Sequence, residues 1–319
     1  MADIIRIEDA LTPALALLRE GEVVALPTET VYGLAGDATL GQGVARIFEA
    51  KGRPRFNPLI AHVSDMAMAE RIGAFDPLSL RLAEAFWPGP LTIVVPLRDG
   101  AGIHPLVTAG LDTIALRMPR GFATGVIAAL GHPIAAPSAN SSGRITGTTA
   151  EAVARDLGAK IPLVVDGGPT PVGVESTIVK VEDGRVRLLR PGGVAAEDIE
   201  AVTGSPVLRG GGGKIEAPGM MTSHYAPGAA MRLNADGVEP GEALLAFGPV
   251  RASGADAASA MLNLSETGDL REAAANLFSH LRRLDATGAA VIAVEPVPSD
   301  GLGEAINDRL ARAAAPRQS

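Results

Sequence analysis

Apolar residues recur along this chain in two rhythms. Short unbroken runs predict buried strands: Val23-Val24-Ala25-Leu26, Leu59-Ile60-Ala61-His62-Val63, Leu91-Thr92-Ile93-Val94-Val95-Pro96, Thr113-Ile114-Ala115-Leu116-Arg117 and Leu163-Val164-Val165-Asp166. Residues 176–181 and 186–190 add two more. Between them, residues 10–19, 42–50 and 78–86 show apolar positions at helical spacing, and Trp87-Pro88-Gly89-Pro90 stops the last of these helices. Several strands read as hairpin partners, so a mixed sheet is expected rather than a purely parallel one.

From residue 209 the pattern changes. Arg209-Gly210-Gly211-Gly212-Gly213-Lys214 through Pro218-Gly219-Met220-Met221 predicts a linker. Beyond it, strands over 243–247 and 290–294 alternate with helices over 269–284 and 303–313. The first of those helices carries Leu270, Ala273, Ala274, Leu277, Phe278, Leu281 and Leu284 on one face, and Gly288 lies just past its end. The expected organisation is an α/β domain over 1–208, a Gly/Pro-rich linker over 209–229, and a small Rossmann-like α/β domain over 230–319. No glycine fingerprint for a dinucleotide accompanies that last domain.

Composition narrows the classes. The 319 residues suffice for two domains, and 47% hydrophobic with 20% charged residues describes globular rather than disordered chain. Aromatics make up 3%, so the cores must be built of Ala, Val, Leu and Ile. With no cysteine, disulfides and Cys-ligated zinc or iron–sulfur sites are excluded. Neither a secretory leader nor a membrane-length apolar run is read, so a cytoplasmic protein is expected. The net charge of −8 divides evenly, −4 over 1–210 and −4 over 211–319. Neither half is the basic domain that nucleic-acid binding usually needs, although a local cationic loop can still hold a small polyanion such as ATP.

Such a loop exists. Lys51-Gly52-Arg53-Pro54-Arg55 puts three cations within five residues of an acidic chain. Three charges alone usually mean a solvated loop. Here Gly52 and Pro54 fix the backbone, and Asn57-Pro58 leads at once into a strand carrying His62, which favours a phosphate site. Pro27-Thr28-Glu29-Thr30-Val31-Tyr32-Gly33-Leu34 reads as a strand end that delivers hydroxyls to a pocket edge and turns at Gly33. Pro137-Ser138-Ala139-Asn140-Ser141-Ser142-Gly143 offers hydroxyls, amides and backbone N–H groups able to cradle phosphate or ribose, and Thr146, Thr148 and Thr149 precede a helix. Arg117 ends an apolar strand and needs an anion, with a structural carboxylate and a substrate carboxylate equally open. The glycine run at 210–214 is not a phosphate-binding P-loop: Leu208 stands where its first glycine belongs, and Ile215 follows the lysine. His104 and His132, beside prolines, read as structural or exposed. No His/Asp/Glu spacing suggests a metal site, and Gly-x-Ser-x-Gly is absent.

The ordered set of motifs resembles the YrdC-like family. It comprises Pro27 to Leu34, Lys51-Gly52-Arg53-Pro54, Asn57-Pro58-Leu59-Ile60, Trp87-Pro88-Gly89-Pro90-Leu91-Thr92, Ala115-Leu116-Arg117-Met118-Pro119, Pro137 to Gly143 and Leu189-Arg190-Pro191-Gly192. Ser223-His224-Tyr225-Ala226-Pro227 and Gly301-Leu302-Gly303-Glu304-Ala305-Ile306-Asn307-Asp308-Arg309 resemble its long form, which carries a C-terminal extension. The resemblance implies a twisted, partly open mixed sheet around a concave pocket. It also implies a nucleotidyltransferase that makes threonylcarbamoyl-AMP and pyrophosphate from L-threonine, bicarbonate and ATP. The product would pass to a transferase system that modifies tRNA next to the anticodon, with at most weak tRNA binding by this chain and no membrane contact.

Carried over by motif, threonine would meet Thr30, His62, Arg117, Ala136 and Ser176, which makes its carboxylate the expected anion for Arg117. ATP would meet Arg53, Asn57, Thr113, Ser138, Thr146, Arg190 and, from the linker acting as a lid, Tyr225. The catalytic set would be Lys51, Arg53, Ser138 and Asn140, with Mg²⁺ carried by the ATP phosphates and no protein metal site. Which of Thr30 and Ser176 reads the threonine hydroxyl stays open. Two rival readings share the YrdC-like motifs: a carbamoyl-AMP-forming relative from hydrogenase maturation, which would need zinc-finger cysteines, and an RNA-binding YrdC-like protein without synthase activity.

Overall fold

The structure, a computed structural model, describes residues 1–210, 216–219 and 224–316. The glycine-run portion of the expected linker, residues 211–215, lies outside the described residues, as does Ser223 of the Ser-His-Tyr-Ala-Pro motif.

One large sheet uses strands β1 (Asp3–Arg6), β2 (Val24–Leu26), β3 (Gly33–Asp37), β4 (Ile60–His62), β5 (Leu91–Pro96), β6 (Thr113–Arg117), β7 (Ile134–Ala135), β8 (Leu163–Asp166), β9 (Thr177–Glu182), β10 (Arg185–Arg190) and β11 (Leu208–Arg209). Their order is β1-β8-β2-β3-β7-β4-β6-β5-β9-β10-β11. Parallel pairs such as β4 with β6 mix with antiparallel ones such as β5 with β6, as the hairpin signals predicted. Covering helices are α1 (Leu11–Arg19), α2 (Gly41–Lys51), α3 (Met66–Ile72), α4 (Pro77–Phe86), α5 (Pro105–Thr108), α6 (Phe122–Leu130), α7 (Ala150–Leu157) and α8 (Ala196–Thr203). Helix α4 starts where Asp76 accepts from the backbone N–H groups of Leu78 and Ser79, with Pro77 in the first turn. It ends at Trp87, ahead of the Pro88-Gly89-Pro90 run.

Gly33, expected as a turn, instead opens β3, which pairs antiparallel with β2 through Leu26 and Gly33. The reversal is made one step earlier by Thr28. Its hydroxyl accepts from the N–H groups of Thr30 and Val31 and donates to the carbonyl of Val31 at 2.6 Å. Strand β1 escaped the pattern reading because it is an edge strand with mostly exposed side chains. Helix α6 escaped because its sequence is apolar nearly throughout and shows no period.

The C-terminal part forms a second, four-stranded sheet. Its strands β12 (Ala230–Arg232), β13 (Ala243–Ala246), β14 (Ala260–Asn263) and β15 (Val291–Val294) run in the order β12-β15-β13-β14, every pair parallel. Helices α9 (Leu270–Asp285) and α10 (Leu302–Ala314) cover it. The α9 face read from the sequence is the buried one, and Asp269 caps its first turn.

The two parts share a core. Val31, Ile145 and Val174 of the first part pack with Tyr225, Leu277 and Phe278 of the second. Gly173 makes the closest approach: at φ 77 it leaves the region that L side chains favour, and a Cβ there would lie 2.2 Å from the Ala274 carbonyl oxygen of α9. The expected linker is therefore not a free tether in its described stretches. Ala217 and Tyr225 are buried, and Glu216 pairs with Lys180 and Arg187 of the β9–β10 hairpin.

Gly173→Ala should destabilise the chain by about 2 kcal/mol or more in chemical denaturation, since both backbone strain and a main-chain clash oppose it. Gly125→Ala, in α6 with open space around it, should instead stabilise by about 0.5–1 kcal/mol. Equal, small effects for the two changes would contradict this picture of the contact with α9.

Candidate active site

Strand register builds the site. The parallel pairing of β4 and β6 sets His62 directly beside Arg117. The antiparallel hairpin β2–β3 ends at Gly33, which bridges to Ser138 beyond β7, so the Thr28-Glu29-Thr30 turn faces the Ser138 loop. Ser176 stands immediately before β9 and Arg190 closes β10, on the paired strands of one hairpin. These ends enclose a cavity of about 50 Å³ lined by Thr30, Arg53, His62, Arg117, Ala136, Ser138, Ser176, Arg190 and Tyr225. Val31, Ile60, Pro137, Glu175, Pro218, Gly219 and His224 complete its wall.

The remaining predicted residues stand behind that wall or apart from it. Buried Lys51 donates from Nζ to the carbonyls of Ser138 and Asn140, 2.5 Å each, and so braces the phosphate-type loop from below. Asn140 donates in turn to the Ser141 and Arg144 carbonyls. The Asn57 carbonyl receives Arg53 Nε at 3.2 Å. Thr146 is fully buried, its hydroxyl donating to Glu175 Oε1 at 2.9 Å. Thr113 begins β6, four residues and roughly 13 Å of strand rise from Arg117, and lies outside the cavity lining.

Charge is distributed unevenly. Two cations at the site meet carboxylates: Arg117 Nη2 lies 2.8 Å from Glu29 Oε1, and Arg309 Nε lies 2.8 Å from Glu175 Oε2. The described residues offer Lys51, Arg53 and Arg190 backbone carbonyls, with no carboxylate in ion-pair contact. Burial, then the neighbouring Arg53 charge, pushes the Lys51 ammonium down to about 7. Burial holds Arg53 and Arg190 at about 10, still charged at neutral pH, with mutual repulsion adding at Arg53. Burial alone would raise the Glu175 carboxyl, but the guanidiniums of Arg309 and Arg190 outweigh it and hold it near 2. A pocket wall with cations in excess is an anion site.

Arg117 finds its anion in Glu29, one residue before Thr30 in the motif the sequence had singled out for its hydroxyls. Glu29 is fixed from its other oxygen by the Arg120 N–H at 3.0 Å, and Arg117 Nε donates to the Gly89 carbonyl. The structural carboxylate left open by the sequence is therefore present, behind a guanidinium that still lines the cavity. Thr28 gives its one hydroxyl proton to Val31, so the 2.9 Å contact with Thr30 has Thr30 donating, which leaves the Thr30 oxygen free to accept. Four residues not singled out from sequence complete the site: Glu29, Glu175, His224 and Arg309. Glu29, His224 and Arg309 lay inside quoted motifs without being assigned a role, and Glu175 lay outside them; the pairing of Glu175 with Arg309 spans 134 residues that no local pattern bridges.

The cavity floor is apolar and hydroxyl-lined, its rim is cationic, and two separate lengths of chain build it. A Sua5/YciO/YrdC family model, described as "Telomere recombination", matches residues 16–192, and "Threonylcarbamoyl-AMP synthase, C-terminal domain" matches residues 194–315. The chain belongs to the threonylcarbamoyl-AMP synthase family. The threonylcarbamoyl-AMP synthase of Bacillus subtilis (strain 168) is 41% identical over 325 residues, covering 96% of this chain and 93% of that one. The enzyme of the same name from Schizosaccharomyces pombe is 36% identical, covering 96% and 88%. The crystal structure of P. abyssi Sua5 complexed with L-threonine matches 98% of each chain at 38% identity with a TM-score of 0.89. The long-form resemblance and the α/β architecture read from sequence are thereby shown for this family member.

His62 is buried with Nδ1 unpartnered among the described residues, and burial, then the Arg117 charge, hold its pKa well below the usual histidine value. The unfolded chain takes up a proton that the folded chain refuses, so this group erodes stability as pH falls below its ordinary pKa of about 6.5. In NMR, the His62 ring should show no titration between about pH 8 and pH 5. A midpoint near 6.5 would contradict the assigned environment.

Proposed function

We propose that this synthase joins L-threonine, bicarbonate and ATP into threonylcarbamoyl-AMP with release of pyrophosphate, the product serving threonylcarbamoyladenosine modification of tRNA. The observation that carries this reading is one cavity lined by two chemically distinct sets of residues. One set is Arg117, neutral His62 and the hydroxyl of Thr30. The other is Arg53 and Arg190, with Lys51 behind Ser138, and Arg190 donates to the Ser176 hydroxyl at 3.2 Å. The first set suits a small hydroxylated amino acid, and the second a polyphosphate.

Arg117, backed by Glu29, offers its guanidinium to the threonine carboxylate. Neutral His62 accepts a hydrogen bond from the amino group without adding charge. Thr30, with its proton committed to Thr28, accepts from the substrate hydroxyl and so distinguishes threonine from valine, which shape alone does poorly. The amine, once deprotonated, attacks the bicarbonate carbon; a C–N bond forms, a C–O bond breaks and water leaves, which gives the carbamate. A carbamate oxygen then attacks the α-phosphorus in line, the α–β phosphoanhydride bond breaks, and pyrophosphate leaves. Arg53 and Lys51 neutralise the phosphates. Because Lys51 sits near neutrality, an approaching phosphate raises its pKa and completes its charge.

Magnesium would arrive on the ATP phosphates, where it neutralises oxygens. No group of three His, Asp or Glu among the described residues is placed to hold an ion, and Glu175, the carboxylate lining the cavity, already pairs with Arg309. A nucleotide also needs far more room than 50 Å³. Pro218 and Gly219 lie against Arg190, the Pro218 carbonyl accepting from Nη1 at 3.3 Å, so this segment must move to admit phosphates, which is the behaviour of a lid.

Pyrophosphate release from ATP should require both L-threonine and bicarbonate, with valine a poor substitute. Arg53→Ala should lower turnover by about 10²-fold or more while the chain stays folded. Release independent of threonine, or an Arg53→Ala variant at full rate, would overturn the assignment.

A further inference from the structure

The Gly301 to Arg309 motif has no part in the reaction described above, yet its packing is specific. Gly303 accepts no side chain, because a Cβ would meet the Pro298 carbonyl oxygen. Asn307 ties the helix to the loop before it by donating to the Val297 and Pro298 carbonyls. Ala305 and Ile306 are buried in the second core. Together these contacts fix the start of α10 and aim Arg309 out of its own sheet toward the cavity. Arg309 is wholly buried.

Arg309 reaches three groups at once. Its Nε donates to Glu175 Oε2 at 2.8 Å, its Nη1 to Asp308, and its guanidinium lies 5.4 Å from the centroid of the Tyr225 ring. Tyr225 is held at φ 66, a conformation rare for a side chain of its size, and is clamped on its other side by Phe278 of α9. Glu175 spends its second oxygen on the Thr146 hydroxyl.

We infer that Arg309 is a positioning residue supplied by the C-terminal part: it holds Glu175 and Tyr225, which line the cavity together with Arg190, so that the tyrosine ring forms part of the ATP-facing wall of the site. This rests on the synthase reading and extends it. The C-terminal part then contributes to ATP recognition and not to threonine recognition, because among the described residues the side chains of Arg117, Glu29 and Thr30 bond to Gly89, Arg120, Thr28 and one another, all in the first part.

The test uses the full-length chain in four forms: wild type, Arg309→Lys, Arg309→Met, and Arg309→Met with Glu175→Gln, which removes both charges at nearly constant volume. Steady-state KM for ATP is read alongside threonine affinity by calorimetry and alongside Tm. Arg309→Met should raise the ATP KM by at least about tenfold with threonine affinity within about twofold of wild type, and Arg309→Lys should fall between. The charge-balanced double variant should recover Tm but keep the raised ATP KM. A double variant with the wild-type ATP KM would show that Arg309 only neutralises Glu175. Parallel losses of threonine and ATP affinity would show that it only holds the fold. Either result would overturn the inference. Because binding of a non-hydrolysable ATP analogue is read in the same variants, the inference is tested even if wild type releases no pyrophosphate, an outcome that would count against the synthase reading alone.

Discussion

Burying cations around one cavity without matching them one for one by carboxylates is the constraint on which this structure depends. Desolvating a guanidinium or ammonium is costly unless partners replace the lost water. The chain replaces it mostly with backbone carbonyls: Ser138 and Asn140 for Lys51, Asn57 and Pro58 for Arg53, Ser176 for Arg190. Carbonyl dipoles solvate a cation but leave its net charge in place. The residual positive potential is what a polyphosphate answers, so an arrangement that works against stability in the free chain favours ligand binding.

The second sheet braces the same region: Val31, Ile145 and Val174 of the first part are buried in the second core. Like the Arg209–Glu304 pair, Glu175 is one point at which the two halves meet electrostatically. It is bonded to Thr146 on the first part and Arg309 on the second, with Arg190 contributing to its low pKa. Glu216 repeats the device at the rim, tying the connecting segment to Lys180 and Arg187.

Much of this was legible in sequence, and the reason is local. Buried strands such as β5, β6 and β8 are unbroken apolar runs, so their limits match the reading. Motifs with fixed backbone, such as Lys51-Gly52-Arg53-Pro54, place cations by their own geometry. Illegible parts depend on distance along the chain. Arg309 and Glu175 are separated by 134 residues, and nothing near either one announces the other. Gly33 was misread because a glycine after two threonines suits a turn, whereas Thr28 makes the turn with its own side chain and frees Gly33 to start a strand. The Gly/Pro-rich connection was read as a linker from its low propensity, which says nothing about contacts, and as a lid from motif resemblance; buried Ala217 and Tyr225 supply those contacts in its described stretches.

A crystal structure of the full chain with L-threonine and a non-hydrolysable ATP analogue tests the central claim most directly. The account predicts phosphates against Lys51, Arg53 and Arg190, the threonine carboxylate on Arg117, and residues 216–219 displaced from Arg190. A nucleotide bound elsewhere, with Pro218 and Gly219 still seated on Arg190, would contradict it.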